Sequence, residues 1–322
     1  MRDVAEHVRE WVQAGVGATV AWPVRLQGFG GCRAEGVVAR SGAGEVVGSL
    51  LNGSLVEALA SARPGLVDLA VADADAERRG LACGGVATVL VQPAGAVPVA
   101  VWDALAHGRP VAVAVDTASG ATLAVVDGEA VGTLSDPQVD ADVVARARDA
   151  LRQARPGPRS IVVGERSFAL LVFVAPTRVV VVGAVDLAAA IEEQGRLLGW
   201  TVVTVATAGQ AEAAVAGLRA ADAVVVLSHD DTVDAPSLRA ALAGPAGFVG
   251  ALGSRHTQAR RAEDLRRAGV AEADVERIHG PVGLDLGGTT PQDTALAICA
   301  EILAARSGRS ATTLQGRAAP IH

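Results

Sequence analysis

From Arg178 to Gly308, short β-branched runs alternate with stretches of helical spacing. This alternation restricts the fold more than any other feature. Arg178–Gly183 (RVVVVG) is an apolar run closed by glycine, and the helical stretch Leu187–Leu197 follows, with Leu187, Ile191 and Leu198 near one face. Trp200–Val205, Ala223–Leu227 and Gly247–Gly250 read as further strands, and Gln210–Leu218 and Pro236–Leu242 as helices. Ser254 is placed to cap a long helix through Arg267, closed by Gly269. Thr290-Pro291-Gln292-Asp293 supplies a cap hydroxyl, a first-turn proline and an acid at the third position for a last helix that stops before Gly308. Apolar strands separated by helices predict a parallel sheet covered on both faces.

The first half lacks that rhythm. A short amphipathic helix (Val4, Val8, Trp11, Val12) precedes strands at Ala18–Trp22 and Gly36–Arg40, and glycines punctuate the stretch between residues 28 and 53. A helix is expected to start near Ser54. Val86–Val91 reads as a buried strand, Val111–Val115 with Ala121–Val126 as a hairpin, and Asp142–Arg155 as a polar helix. Ile161–Val174 reads as two more strands of the first sheet, which puts the domain boundary at Pro176-Thr177.

Composition narrows the function classes. Half of the 322 residues are hydrophobic and a fifth charged, which excludes a disordered chain. The net charge of −7 and the scarcity of aromatics argue against nucleic acid as a partner. No apolar run approaches the ~18–20 residues that span a membrane, and the charged start is unlike a signal peptide, so a cytoplasmic protein is expected. Cys32, Cys83 and Cys299 form no CxxC pair, so no resident metal site is expected.

In an open parallel sheet ligands bind beyond the carboxyl ends of the strands. Three segments fall there. Gly183-Ala184-Val185-Asp186 keeps only the first glycine of a dinucleotide fingerprint, and no acid ends the second strand, which argues against NAD(P). Ser228-His229-Asp230-Asp231 would orient a ligand or form a turn and helix cap. Gly253-Ser254-Arg255-His256 offers four backbone amides at a helix start beside two cationic side chains, an arrangement suited to phosphate. Arg260, Arg261, Arg266 and Arg267 then read as a solvated helix face. The loop His279–Gly288 either shapes a site or packs as a turn. In the first half, Cys83-Gly84-Gly85 would leave a soft thiol and two amides approachable by a bulky ligand, or would be a small buried hydrophobe entering the strand. Cys299 lies on an apolar helix and reads as core.

Several of these segments carry a family resemblance. Phe248-Val-Gly-Ala-Leu-Gly-Ser-Arg-His-Thr257, Ile278-His-Gly-Pro-Val-Gly-Leu-Asp-Leu-Gly287, Thr290-Pro-Gln-Asp-Thr-Ala-Leu-Ala-Ile298 and Ala300-Glu-Ile302 resemble the XdhC/CoxI family, accessory proteins of xanthine dehydrogenase and related molybdenum hydroxylases. Val226-Leu-Ser-His-Asp230 and Leu81-Ala-Cys-Gly-Gly85 are similar to two further family motifs. The resemblance implies an α/β chain, a small mixed α+β N-terminal domain (1–176) followed by a Rossmann-like doubly wound parallel-sheet domain (177–308); the polar stretch after Gly308 reads as a flexible tail (309–322).

It also implies a chaperone without turnover of its own. Such a protein binds molybdenum cofactor (molybdopterin) in transit, assists its sulfuration and hands it to a molybdenum hydroxylase apoenzyme. A cysteine desulfurase and a second copy of the chain are further expected partners. The cofactor-binding residues so implied are Cys83, Gly84, Gly85, Ser54, Ser228, His229, Gly253, Ser254, Arg255 and His256. Ser54 stands where the family shows cysteine, and Glu57 is one place off the family acid. Gly183-Ala184-Val185-Asp186 replaces the family's Gly-Ala-Gly-His. The rival readings are an NAD(P)-dependent oxidoreductase and a cofactor-free adaptor.

Overall fold

The computed structural model describes residues 1–29, 36–53, 63–154, 156–183, 186–228 and 230–315. The chain divides after Ala175 into two compact units. Overall it is a mixed α/β chain, antiparallel in its first part and parallel in its second.

The first unit holds two five-stranded antiparallel sheets. One contains β1 (Ala18–Gly28), β2 (Val38–Ser41), β3 (Val46–Gly48), β4 (Gly65–Val71) and β5 (Gly85–Pro93), in the order β3-β2-β1-β5-β4. The other contains β6 (Val111–Asp116), β7 (Thr122–Val126), β8 (Glu129–Gly132), β9 (Gly157–Val163) and β10 (Arg166–Phe173), in the order β8-β7-β6-β10-β9. Side chains alternate between strand faces. Val20, Trp22 and Val24 of β1 therefore share one core with Val111, Val113 and Val115 of β6, joined by helices α1 (Arg2–Gln13) and α2 (Val99–Ala106). Ala112 and Ala114 of β6 face the other way, under α3 (Pro137–Arg152). Burial on both faces explains why β6 reads as an unbroken apolar run.

Several expectations for this unit are corrected. Ile161–Val174 contributes β9 and β10 to a second sheet, not the first. The polar helix starts at Pro137, five residues before the expected Asp142, because Asp136 caps it by accepting from the amides of Gln138 and Val139. Strands β3, β4 and β8 and helix α2 carried no recognised sequence signal. The helix expected from Ser54 lies outside the described residues, as does Cys32. Asp116 anchors the β6–β7 turn: Oδ1 accepts from the Ala118 amide at 2.8 Å, and Oδ2 from Arg166 Nε at 3.1 Å. Burial would raise the Asp116 carboxyl, but these bonds and the Arg166 charge outweigh it and hold the group below its ordinary range.

The second unit is a parallel sheet of β11 (Arg178–Val182), β12 (Thr201–Val205), β13 (Ala223–Val226), β14 (Phe248–Ala251) and β15 (Ile278–His279), in the order β12-β11-β13-β14-β15. Its longer helices are α4 (Asp186–Leu197), α5 (Ala208–Val215), α6 (Asp231–Ala243), α7 (Arg255–Arg267) and α8 (Pro291–Ser307). Val179 and Val181 pack against α4 and α8, whereas Val180 and Val182 face α5 and α6. Both faces are therefore covered, as the alternation predicts.

The expected caps appear at Ser254 and Thr290, the latter as a capping box, and α8 ends at Gly308 in the left-handed conformation. Helix α6 starts at Asp231 rather than Pro236, because Asp230 accepts from the Thr232 amide and the helix carries the proline inside it. Cys299 is buried core, its thiol pushed up to about 11 by burial. Among the described residues, no helix is long and apolar enough to cross a membrane.

Candidate functional site

The strand order decides where a ligand fits in the second unit. From β11 the chain crosses one way to β12 and then back past β11 to β13, so the topological switch lies at the carboxyl ends of β11 and β13. Gly183 follows β11 at φ 116°. A Cβ there would lie 2.9 Å from the Ser228 amide nitrogen, so glycine is what lets the two loops approach. The Leu227 amide donates to Val182 O at 2.8 Å, and that of Leu252, after β14, to Val226 O at 2.8 Å. Ser228 and the Gly253–His256 segment thus follow two adjacent strands of the sheet. Ala184, Val185 and His229 lie outside the described residues.

At the start of α7, Ser254 Oγ accepts from the Thr257 amide at 3.2 Å. The expected cradle of four open amides is therefore smaller, with those of Arg255 and His256 left at the helix start. The Arg255 and His256 side chains are exposed, without an ion-pair partner among the described residues. On the Ser228–Asp231 stretch, Asp230 acts as the cap of α6. Asp231 meets Arg260 at 2.9 Å in an exposed pair.

The solvated-face expectation fails at Arg261. Arg260, Arg266 and Arg267 are exposed and paired with nearby acids, but Arg261 is 5% exposed and faces Asp234, itself 2% exposed. Arg261 Nε donates to Asp234 Oδ2 at 3.0 Å, Nη2 to Ser228 O at 2.9 Å, and Nη1 to Leu252 O. Its register with Leu265, one turn on and also buried, was the available sequence signal.

A second polar stitch holds the loop after β15. His279 Nδ1 lies 2.8 Å from Glu301 Oε1, and Glu301 Oε2 accepts the Gly283 amide at 2.6 Å. The His279 ring stacks on Phe248 at 4.3 Å between centroids. Burial would raise the Glu301 carboxyl, but the bonds from His279 and Gly283 outweigh it and hold the group low. A carboxylate depressed in the folded state stabilises above its unfolded pKa, and that contribution disappears as pH falls through the folded value. Glu301→Gln is therefore expected to cost about 1–3 kcal/mol near neutrality. Thermal melts across pH should show its deficit shrinking below the usual glutamate range.

In the first unit, Cys83 is half-buried in the loop between Gly80 and β5. Leu81 anchors that loop in the core. The Gly84 amide donates to Asp73 Oδ1 at 2.8 Å, and Gly84 O accepts from the Phe29 amide at 3.1 Å. The Gly84 amide is therefore engaged, contrary to expectation. Both glycines also have a packing reason. A Cβ on Gly84 would lie 2.3 Å from Val71 O, and one on Gly85 2.3 Å from Gln27 O. Backbone cannot yield as a side-chain tip does, so Gly85→Ala is expected to destabilise the first unit by about 1–3 kcal/mol, read by urea denaturation. Ser54 lies outside the described residues. Among those described, no cluster of three metal-ligating side chains occurs.

Comparison with known proteins adds kinship to this geometry. The XdhC Rossmann domain family model matches residues 179–302. Over 208 residues the chain is 28% identical to the uncharacterized protein YqeB of Escherichia coli (strain K12), covering 55% of this chain and 38% of that protein. Over 84 residues it is 32% identical to the molybdenum cofactor insertion chaperone PaoD of the same organism, covering 26% of each. The matched stretches thus span well under half of either relative. Among solved structures, a chain described as a xanthine dehydrogenase from Bacillus halodurans matches with a TM-score of 0.63 over 96% of this chain and 98% of that one. At 14% identity that likeness is one of fold. Residues 179–302, most of the second unit, are therefore what the chain shares with the XdhC Rossmann domain family.

Proposed function

We propose that this protein is an accessory factor that binds molybdenum cofactor as cargo, supports its sulfuration and passes it to a molybdenum hydroxylase apoenzyme of the xanthine dehydrogenase or CO dehydrogenase type. The observation that carries the reading is an XdhC Rossmann domain whose strand ends present Ser228 and the Ser254–His256 helix start. The local likeness to PaoD, named as an insertion chaperone, supports the same direction.

The cargo is an anionic pterin phosphate with a soft dithiolene–metal head, and its chemistry sorts the residues. Arg255 and His256 with the α7 amides suit the phosphate. Within the first unit, the half-buried Cys83 thiol is a soft donor of the kind that selects soft or redox metals. In this reading Ser54, His229 and Gly253 contribute shape and hydrogen bonds, while Gly84 and Gly85 act indirectly, by letting the Cys83 loop pack close to its neighbouring strands. A cysteine desulfurase supplies the sulfur, a second copy of the chain completes a homodimer, and the cytoplasm is the compartment.

The test is titration of the purified chain with isolated molybdenum cofactor, followed by pterin fluorescence. A saturable complex is expected, and Cys83→Ser and Arg255→Ala should each weaken it by about tenfold or more, roughly 1.4 kcal/mol. Absence of any saturable complex overturns the proposal. Saturable NADH or NADPH binding in its place would favour an oxidoreductase, and apoenzyme binding without cofactor an adaptor.

A further inference from the structure

Arg261 is a guanidinium removed from water at the edge of the ligand rim. Its five N–H donors form a rigid fork, and the structure uses three sides of it. One side meets Asp234 on α6, another Ser228 O after β13, and the third Leu252 O after β14. Ser228 sits at the switch between strands, and Leu252 is two residues before the Ser254 cap. No other described side chain is bonded to both loops. The Asp234 carboxylate neutralises the cation, so Arg261 adds no net attraction for an anion. Its partners are instead the two carbonyls whose separation sets the rim.

We infer that Arg261 is a positioning residue: balanced by Asp234, it locks the loops after β13 and β14 together so that Ser228 and the Ser254–His256 helix start meet an anionic ligand as one surface. This deepens the proposed function and rests on it for the identity of the ligand. Arg255, exposed and one residue past the cap, is left as the cation that addresses the ligand's charge.

Two measurements test this with Arg261→Met, Arg261→Lys and Ile298→Ala. Ile298 is fully buried on the opposite face of the sheet, and its truncation destabilises the unit without touching the latch. Hydrogen exchange is read first at the amides of Leu227, Ser228, Leu252 and Thr257. In Arg261→Met these are expected to exchange about tenfold faster or more, ahead of the amides of β11 and α8. Arg261→Lys should fall between that variant and the wild type, and Ile298→Ala should show no such local pattern. Exchange that rises in one loop only, or evenly through the unit, overturns the inference whatever the chain binds.

Titration with isolated molybdenum cofactor, at a temperature where all variants are folded, is the second reading. Arg261→Met should bind about tenfold more weakly than wild type, a change of roughly 1.4 kcal/mol, with Ile298→Ala unchanged. Equal affinity of Arg261→Met and wild type overturns the positioning role. If both loops loosen but the wild type binds no cofactor, the latch stands and the proposed cargo falls.

Discussion

Arg261→Met is expected to lower the stability of the second unit by about 3–5 kcal/mol, the range for removing one partner of a buried ion pair. The substitution strands the Asp234 carboxylate at 2% exposure, and its Oδ1 already has no hydrogen-bond partner among the described residues. It also takes a donor from Ser228 O and another from Leu252 O. Solvent cannot readily replace these bonds, so each stranded group carries its own desolvation cost. Pairing Arg261→Met with Asp234→Leu should recover part of the loss, because an apolar pair of similar volume avoids the unpaired charge. Guanidinium denaturation of the two single variants and the double variant measures the cycle. A single-variant loss below about 1 kcal/mol would mean the pair is hydrated and the latch weak.

Trp102→Ala should cost about 3–5 kcal/mol in the first unit, the usual price of truncating a buried large aromatic. Trp102 and Trp22 are both fully buried and stack nearly parallel, 5.3 Å apart at 6°. Phe173 closes the cluster at 6.2 Å from Trp22, and Trp102 Nε1 donates to Ala94 O at 3.3 Å. The cluster joins β1 to α2 and β10. It therefore supports the strand whose end, Gly28, pairs with Gly85 beside the Cys83 loop. Trp102→Phe should lose less, because it keeps most of the packing. With no tyrosine in the chain, tryptophan emission reports the transition directly. Equal stability of Trp102→Ala and wild type would show that the two sheets do not depend on this contact.

The candidate site was legible wherever its signal was local. Ser254 and Thr290 were readable as caps because a cap bonds an amide only a few residues away. Asp136 and Asp230 are caps of the same kind, but later features, Asp142 and Pro236, drew the helix starts forward. The two sheets of the first unit were not separable, because a strand's partners are chosen across the chain. β1 pairs with β5 some sixty residues on, and nothing in either run names the other. The Gly84-Gly85 pair looked like an opening, yet both positions are crowded by backbone from neighbouring strands.

By itself, the sequence determined that the second half would be a parallel sheet covered on both faces, with capped helices following its strand ends. Periodicity and capping are properties of neighbouring residues, and they are written in order along the chain. Only the tertiary structure separated Arg261 from the other arginines of its helix. Five guanidiniums of equal chemistry differ there by one fact: Asp234 and two loop carbonyls converge on one of them, and burial makes breaking that convergence cost about 3–5 kcal/mol. Charge has its meaning from what surrounds it, and those surroundings are assembled only when distant parts of the chain meet.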